Sequence, residues 1–253
     1  KMAINVNTVY QTVLLILNKE QRGYMTPQEF NNIGNQVQLE IFEKYFEDLN
    51  QQVRVPQADT DYSDRVTNLD EKISIFKTFG NAAYDSTSTP ATPYFTLPTT
   101  DVYGNTITFY RLGTVIYNDE VELQRLQRGD FYYINKSQLT KPSTSWPVYL
   151  YENNKLFVKP TDIISKITVD FIRKPKDVIW GFDVGGLGQY IYNDQVFNAA
   201  TAPTGSVDFE LQDSEQTEVI LRILMYAGII IRDPQIIQAA AQQVQMDEIN
   251  KKS

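Results

Sequence analysis

The 253-residue chain has no cysteine and no histidine. Without cysteine there are no disulfides and no thiolate nucleophiles; without histidine there are no imidazole bases and no Ser-His-Asp triad. Both absences together remove the common ligands of transition-metal sites. An enzyme of this composition would have to work with carboxylates, lysine or tyrosine. A long apolar run is also missing: the longest, "VILRILMYAGIII" from Val219 to Ile231, is short of the roughly 20 residues a membrane span needs and carries Arg222. Basic charge is scarce, with 23 Lys and Arg against 31 Asp and Glu and a net charge of −8, which opposes tight wrapping around nucleic acid. The longest basic patch, "RKPK" at Arg173 to Lys176, reads as a solvated strand end. Nothing at the N-terminus has the pattern of a secretory signal, so synthesis in the cytoplasm is the expectation.

What is present is enough apolar residue, 42% of the chain with 12% aromatic, to fill a real core. The periodicities predict an α+β fold: a helical bundle formed by the N-terminal and C-terminal helices, with a central, mostly antiparallel β region. The expected divisions are N-terminal helices over 1–85, a β-rich insertion over 86–212, and a C-terminal helix pair over 213–253 that completes the bundle. A first helix, with Val9, Val13, Ile16 and Leu17 near one stripe, can start at Asn7 and stop at Gly23. "TPQEF" then opens a long helix: Thr26 is the N-cap, Pro27 takes the first helical position, and Glu29 closes a capping box. Phe30, Ile33, Val37, Ile41, Tyr45 and Leu49 carry it to about Asn50. A third helix follows, with Tyr62, Val66, Leu69, Ile73 and Phe76 as its seam against the second.

After Gly80, "DSTSTPATP" is a proline-punctuated linker into strands. In "PVYLYENNKLFVKP", Val148, Leu150 and Glu152 alternate with Tyr149 and Tyr151, and Asn153-Asn154 can take the positive φ of a hairpin turn. "KITVDFIRKP" alternates Ile167, Val169 and Phe171 as a half-buried strand. One short helix, roughly Asp119 to Gln127, is expected among the strands. Near the C-terminus, Asp213 or Ser214 can cap a helix that suits Glu215 and Glu218 and ends at Asp233-Pro234. Arg222, four residues after Glu218, can pair with it while its charge reaches water. A last helix places Ile237, Ala240, Ala241 and Val244 on one face and glutamines on the other.

Several stretches invite a chemical reading. Asp59, Asp61 and Ser63 match early positions of an EF-hand, but Asp64 and Asp70 stand where its glycine and bidentate glutamate belong; Asp61 as a helix N-cap explains the same residues. "VGGLGQY", with Gly185, Gly186 and Gly188, lacks the lysine and hydroxyl of a P-loop and reads as a bend between strands. The aromatic run "DFYYIN" with Trp146 and Trp180 could stack sugars or bases, although aromatics in strand-rich sequence mostly pack in the core. Glu40, Glu43, Glu47 and Asp48 are acidic enough for glycoside hydrolysis, yet they lie on a helix whose polar face needs charge anyway. No catalytic residue, cofactor site or metal site is assigned.

Three stretches, "LNKEQRGYMTPQEFNNIGNQVQLEIFEKYFEDLN", "VYLYENNKLFVKPTDIISKITVDFIRKP" and "FELQDSEQTEVILRILMYAGIIIRDPQIIQAAAQ", together resemble structural proteins of tailed bacteriophages, above all the neck and tail ring proteins of short-tailed, crAss-like phages. The resemblance implies a virion protein without catalysis: a head-to-tail connector subunit forming a closed homo-oligomeric ring, a dodecamer by that likeness. It would be assembled in the bacterial cytoplasm, contact the portal and other neck or tail proteins, and let genomic DNA pass through the lumen without specific binding or membrane contact. The assembly surface expected on this basis is the β-region loops and the C-terminal helix face of Gln242, Gln243, Gln245, Met246 and Ile249. The alternatives are a tail-associated module that binds a glycan through Trp146 or Trp180, and a carboxylate-dependent hydrolase of cell-wall polymer.

Overall fold

A computed structural model describes residues 3–19, 24–54, 60–86, 93–101, 106–231, 238, 241–246 and 249. The fold is α+β, with antiparallel sheets broken by one parallel pair. Two compact units divide the chain: an α unit built from both ends, 1–75 and 175–253, and a β unit, 76–174, inserted between them. The observed divisions therefore fall at 75/76 and 174/175 rather than at 85/86 and 212/213. Strand pairing begins at Lys77, ahead of the proline-rich linker, and residues 175–212 are bound to the helices.

In the α unit, helices α1 (Val6–Lys19), α2 (Pro27–Arg54), α3 (Thr60–Ser74) and α5 (Gln216–Ile231) are present, and α4 belongs to the β unit. Helix α1 is capped by Asn5, whose side-chain oxygen accepts the Thr8 amide at 3.0 Å, two residues ahead of the expected start at Asn7; Asn7 is half-buried inside the helix and accepts the Trp180 indole N–H. Helix α2 begins with the expected capping box: the Glu29 amide donates to Thr26 Oγ1 at 3.3 Å and the Thr26 amide to the Glu29 carboxylate at 2.9 Å. Helix α3 is described from Thr60 on, and Asp61 lies inside it and is not its cap. Helix α5 packs against α1 and α2, and α2 also against α3. From Glu218 to Gly228 no residue of α5 is exposed. It follows a 3₁₀ turn, Asp213–Glu215, whose cap is Gln212 with no side-chain bond, in place of the expected Asp213 or Ser214.

The chain returning from the β unit is held by an amide ladder on α2. Asn31 accepts the Trp180 amide at 2.7 Å, Asn35 the Val178 amide at 2.5 Å, and Gln38 donates to the Lys176 carbonyl at 2.8 Å while accepting the Glu210 amide at 2.8 Å. An extended chain advances about 6.7 Å per two residues and a helix about 6 Å per four, so side-chain amides near one turn apart can serve alternate residues of a strand. The ladder takes the part of a neighbouring strand and explains why residues 175–212 belong with the helices.

In the β unit, one sheet takes the order β1-β9-β4-β5, from β1 (Lys77–Asn81), β4 (Phe109–Tyr117), β5 (Val121–Glu122) and β9 (Ile167–Arg173). The other runs β2-β3-β8-β7-β6, from β2 (Ala83–Asp85), β3 (Tyr94–Thr96), β6 (Gln124–Arg125), β7 (Val148–Glu152) and β8 (Lys155–Lys159). The sheets share a core in which Val115, Val169 and Phe171 of the first meet Phe95, Tyr149 and Leu156 of the second. The β7–β8 hairpin turns at Asn153 and Asn154 with φ of 49° and 56°, as their residue type predicts. The helix expected at Asp119 to Gln127 is absent: Asn118 and Asp119 take φ of 53° and 58°, reverse the chain, and pair β5 back on β4. The short helix, α4 (Arg128–Ile134), begins just beyond.

Candidate functional site

Helix α4 has only two turns and one buried residue, Phe131, which packs on Val148 and Leu150 of β7. Anchoring Phe131 inward turns its neighbours outward, leaving Tyr132 58% and Tyr133 71% exposed. The other face of β7, carrying Tyr149, is already occupied by the core between the sheets. A groove of about 390 Å³ opens between α4, the β7–β8 hairpin and the start of β3. Its floor is apolar and aromatic: Tyr94, Phe131, Leu150 and Phe157. Tyr94 and Phe157 meet edge to face with ring centres 6.0 Å apart.

The rim is charged. Lys155 Nζ sits 3.9 Å above the centre of the Tyr94 ring, a cation–π contact, while the Tyr94 hydroxyl donates to Asp85 at 2.9 Å. Arg128 and Glu152 approach to 3.6 Å across the mouth; with Arg128 68% exposed, the pair adds little stability. Lys159, Asn153 and Thr161 complete the edge. Three lining cations stand against one lining carboxylate and the Asp85 carboxylate behind Tyr94, a small positive excess on a chain of net charge −8.

The residues singled out in the sequence are scattered. Trp180 is 2% exposed and stacks in the α unit, so it cannot meet a sugar; Trp146 is 81% exposed but does not line the groove. Gln242, Gln243, Gln245, Met246 and Ile249 are all exposed; residues 241–246 are helical, with Ala241 and Val244 half-buried on the other face. Ile237 and Ala240 lie outside the described residues, as does Asp59. The three glycines form the turn between strands β10 (Phe182–Val184) and β11 (Tyr190–Tyr192), with Gly188 at φ 80°. Among the described residues no cluster of carboxylates is placed to hold a metal ion, and no helix is long and apolar enough to cross a membrane.

Among the candidate carboxylates, Glu43 and Glu47 are exposed, whereas Glu40 is bound: Tyr226 donates to it and Arg222 lies 3.5 Å away. Arg222 also pairs with Glu218 at 3.0 Å, in the expected helical spacing, and Lys44 reaches Glu218 at 3.2 Å. The Arg222 charge is thus paired with two carboxylates, and its side chain is 12% exposed, in place of the expected reach into solvent. Nearby, buried Glu215 takes a hydrogen bond from Tyr45 and an ion pair from Lys72 at 2.7 Å. Burial, and then the adjacent Glu215 charge, push the Tyr45 phenol well above its ordinary range. This network ties α5 to α2, and the 3₁₀ turn before it to α2 and α3; its carboxylates hold helices together.

The groove was not legible in the sequence because its members come from β3, α4 and the β7–β8 hairpin. The only local signal is the inward Phe131 between outward polar and tyrosine residues in "RGDFYYI". No protein-family model and no curated protein matches this chain.

Proposed function

We propose that this chain is a virion structural protein without catalytic activity: a ring or adaptor subunit that joins portal and tail of a tailed phage around the DNA channel. Its partners are copies of itself and the neighbouring portal, neck or tail proteins, and genomic DNA passes through the lumen unbound. It is assembled in the bacterial cytoplasm and resides in the virion.

The observation that carries this reading is the exposed apolar β10–β11 hairpin and the segment after it. Val184 is 64%, Leu187 95%, Ile191 50% and Val196 82% exposed. The hairpin stands on a rigid base of aromatic rings. Phe30 meets Tyr10 at 4.8 Å, Tyr10 meets Trp180 at 4.5 Å, and Trp180 meets Tyr192 at 5.6 Å and Phe182 at 5.9 Å. Phe182 then meets Tyr190 at 4.9 Å near the tip. Gly205 allows the next crossing strand to close in, since a Cβ there would lie 2.6 Å from the Gln195 carbonyl oxygen. A clustered apolar surface held stiffly by the core suits a protein interface, because little ordering entropy remains to be lost on docking. The exposed face of Gln242, Gln243, Gln245, Met246 and Ile249, more polar than the hairpin, is the second surface assigned to assembly.

Native mass spectrometry and electron micrographs of the purified protein test the reading, with a closed ring of identical subunits expected. Leu187→Asp should leave far-UV circular dichroism and melting temperature unchanged while dissolving the ring. A stable monomer that also fails to join portal or tail rings overturns the proposal.

A further inference from the structure

We infer that the groove between α4 and the β7–β8 hairpin is a binding site for an anionic sugar, a carboxylate-bearing pyranose within an oligosaccharide. The inference concerns the β unit alone and does not depend on the ring reading.

Four features define the ligand. The first is the volume, about 390 Å³, which lies at the small end of the range of ligand pockets. The second is the apolar floor of Tyr94, Phe131, Leu150 and Phe157 together with Tyr132, whose exposed ring stands at the mouth. The C–H face of a pyranose packs on such rings, and a tyrosine rim leaves hydroxyls for its edges.

The third is charge. Lys155, Lys159 and Arg128 outnumber Glu152, so the site complements a negative ligand although the chain as a whole is acidic. Among the described residues neither Lys155 nor Lys159 is ion-paired with a carboxylate. The fourth is the mixture of polar groups: Glu152 accepts, Asn153 and Thr161 both donate and accept, and the cations donate. Sugar hydroxyls use both kinds of partner. A phosphodiester backbone offers oxygen acceptors and no donor to Glu152, whereas sugar hydroxyls can donate to it. A carboxylate on the ring would be held by Lys159 or Lys155 through a charge-assisted bond.

Titration calorimetry and amide chemical-shift mapping with the full-length chain test this, using an oligogalacturonate trimer, a neutral glucose trimer, a tri-glutamate peptide and a short single-stranded oligonucleotide. Expected are binding of the galacturonate with shifts at Asn153, Lys155 and Thr161, and at least tenfold weaker binding of the other three. Lys159→Gln should weaken galacturonate binding about tenfold, the value of one charge-assisted hydrogen bond. Tyr132→Ala should do the same at an unchanged melting temperature, since the side chain is exposed. No binding of galacturonate overturns the proposal, as do equal binding of the neutral trimer, tighter binding of the peptide or oligonucleotide, or affinity indifferent to both variants. Loss of the ring in the assembly experiment leaves all of these readouts intact.

Discussion

Thr26 and Glu29 exchange two hydrogen bonds across the first turn of α2, and each satisfies an amide that the helix itself cannot. Thr26→Ala should therefore cost about 1 kcal/mol in urea denaturation. The Thr26 amide, and after it the Thr26 hydroxyl, which donates to the same carboxylate at 2.8 Å, hold the Glu29 carboxyl below its ordinary 4.5. With the folded value depressed, the stability it contributes is full above the unfolded value and is lost as pH falls through the folded one. Glu29→Gln keeps the hydrogen-bonding shape, since glutamine also serves in a capping box, but it cannot titrate. Its denaturation midpoint should fall less than that of the parent between neutral pH and about pH 3. The same capping geometry was readable from four letters because it involves neighbours only.

Elements show where such local reading stops. The β7–β8 hairpin followed from alternation and Asn153-Asn154, and strand β9 from Ile167, Val169 and Phe171, all three buried as expected. Asn118-Asp119 has the same chemistry as that turn, yet the expectation there was a helix; the paired strand is two residues long and leaves almost no alternation to see. The amide ladder on α2 was hidden for a different reason. Asn31, Asn35 and Gln38 sit at visible helical spacing, but polar residues on a helix ordinarily face water. Here they serve the backbone of a segment some 140 positions later. Asn35→Leu leaves the Val178 amide, on a fully buried residue, without its partner and should cost about 2 kcal/mol by chemical denaturation, far more than a surface substitution would.

For the molecule as a whole, the discontinuous α unit means that both chain ends must be present for α5 to be covered. Leu224, 7% exposed, lies on that helix among α1 and α2. Leu224→Asp should abolish cooperative unfolding, or lower stability by 3 kcal/mol or more, about the cost of an unpaired buried charge. Leu187→Asp should not, because its side chain meets water. A Leu224→Asp protein that folds with an unchanged melting temperature would show that packing at this position is not what holds the subunit together. The two variants together separate a residue that builds the subunit from one that joins it to others.

Composition and short-range spacing were enough for the α+β class, the start of α2, the β7–β8 turn and the exclusion of thiol and imidazole chemistry, since each depends on residue type or on neighbours within one turn or one hairpin. The ownership of residues 175–212, the burial of Trp180 and the pairing of Arg222 with Glu40 came from long-range contacts between α2, α5 and the returning chain. So did the groove, whose charged rim and aromatic floor meet only when α4 packs on β7 and β3 pairs with β8. Periodicity reports which face of an element is apolar; only packing in three dimensions reports what that face, or its polar opposite, touches.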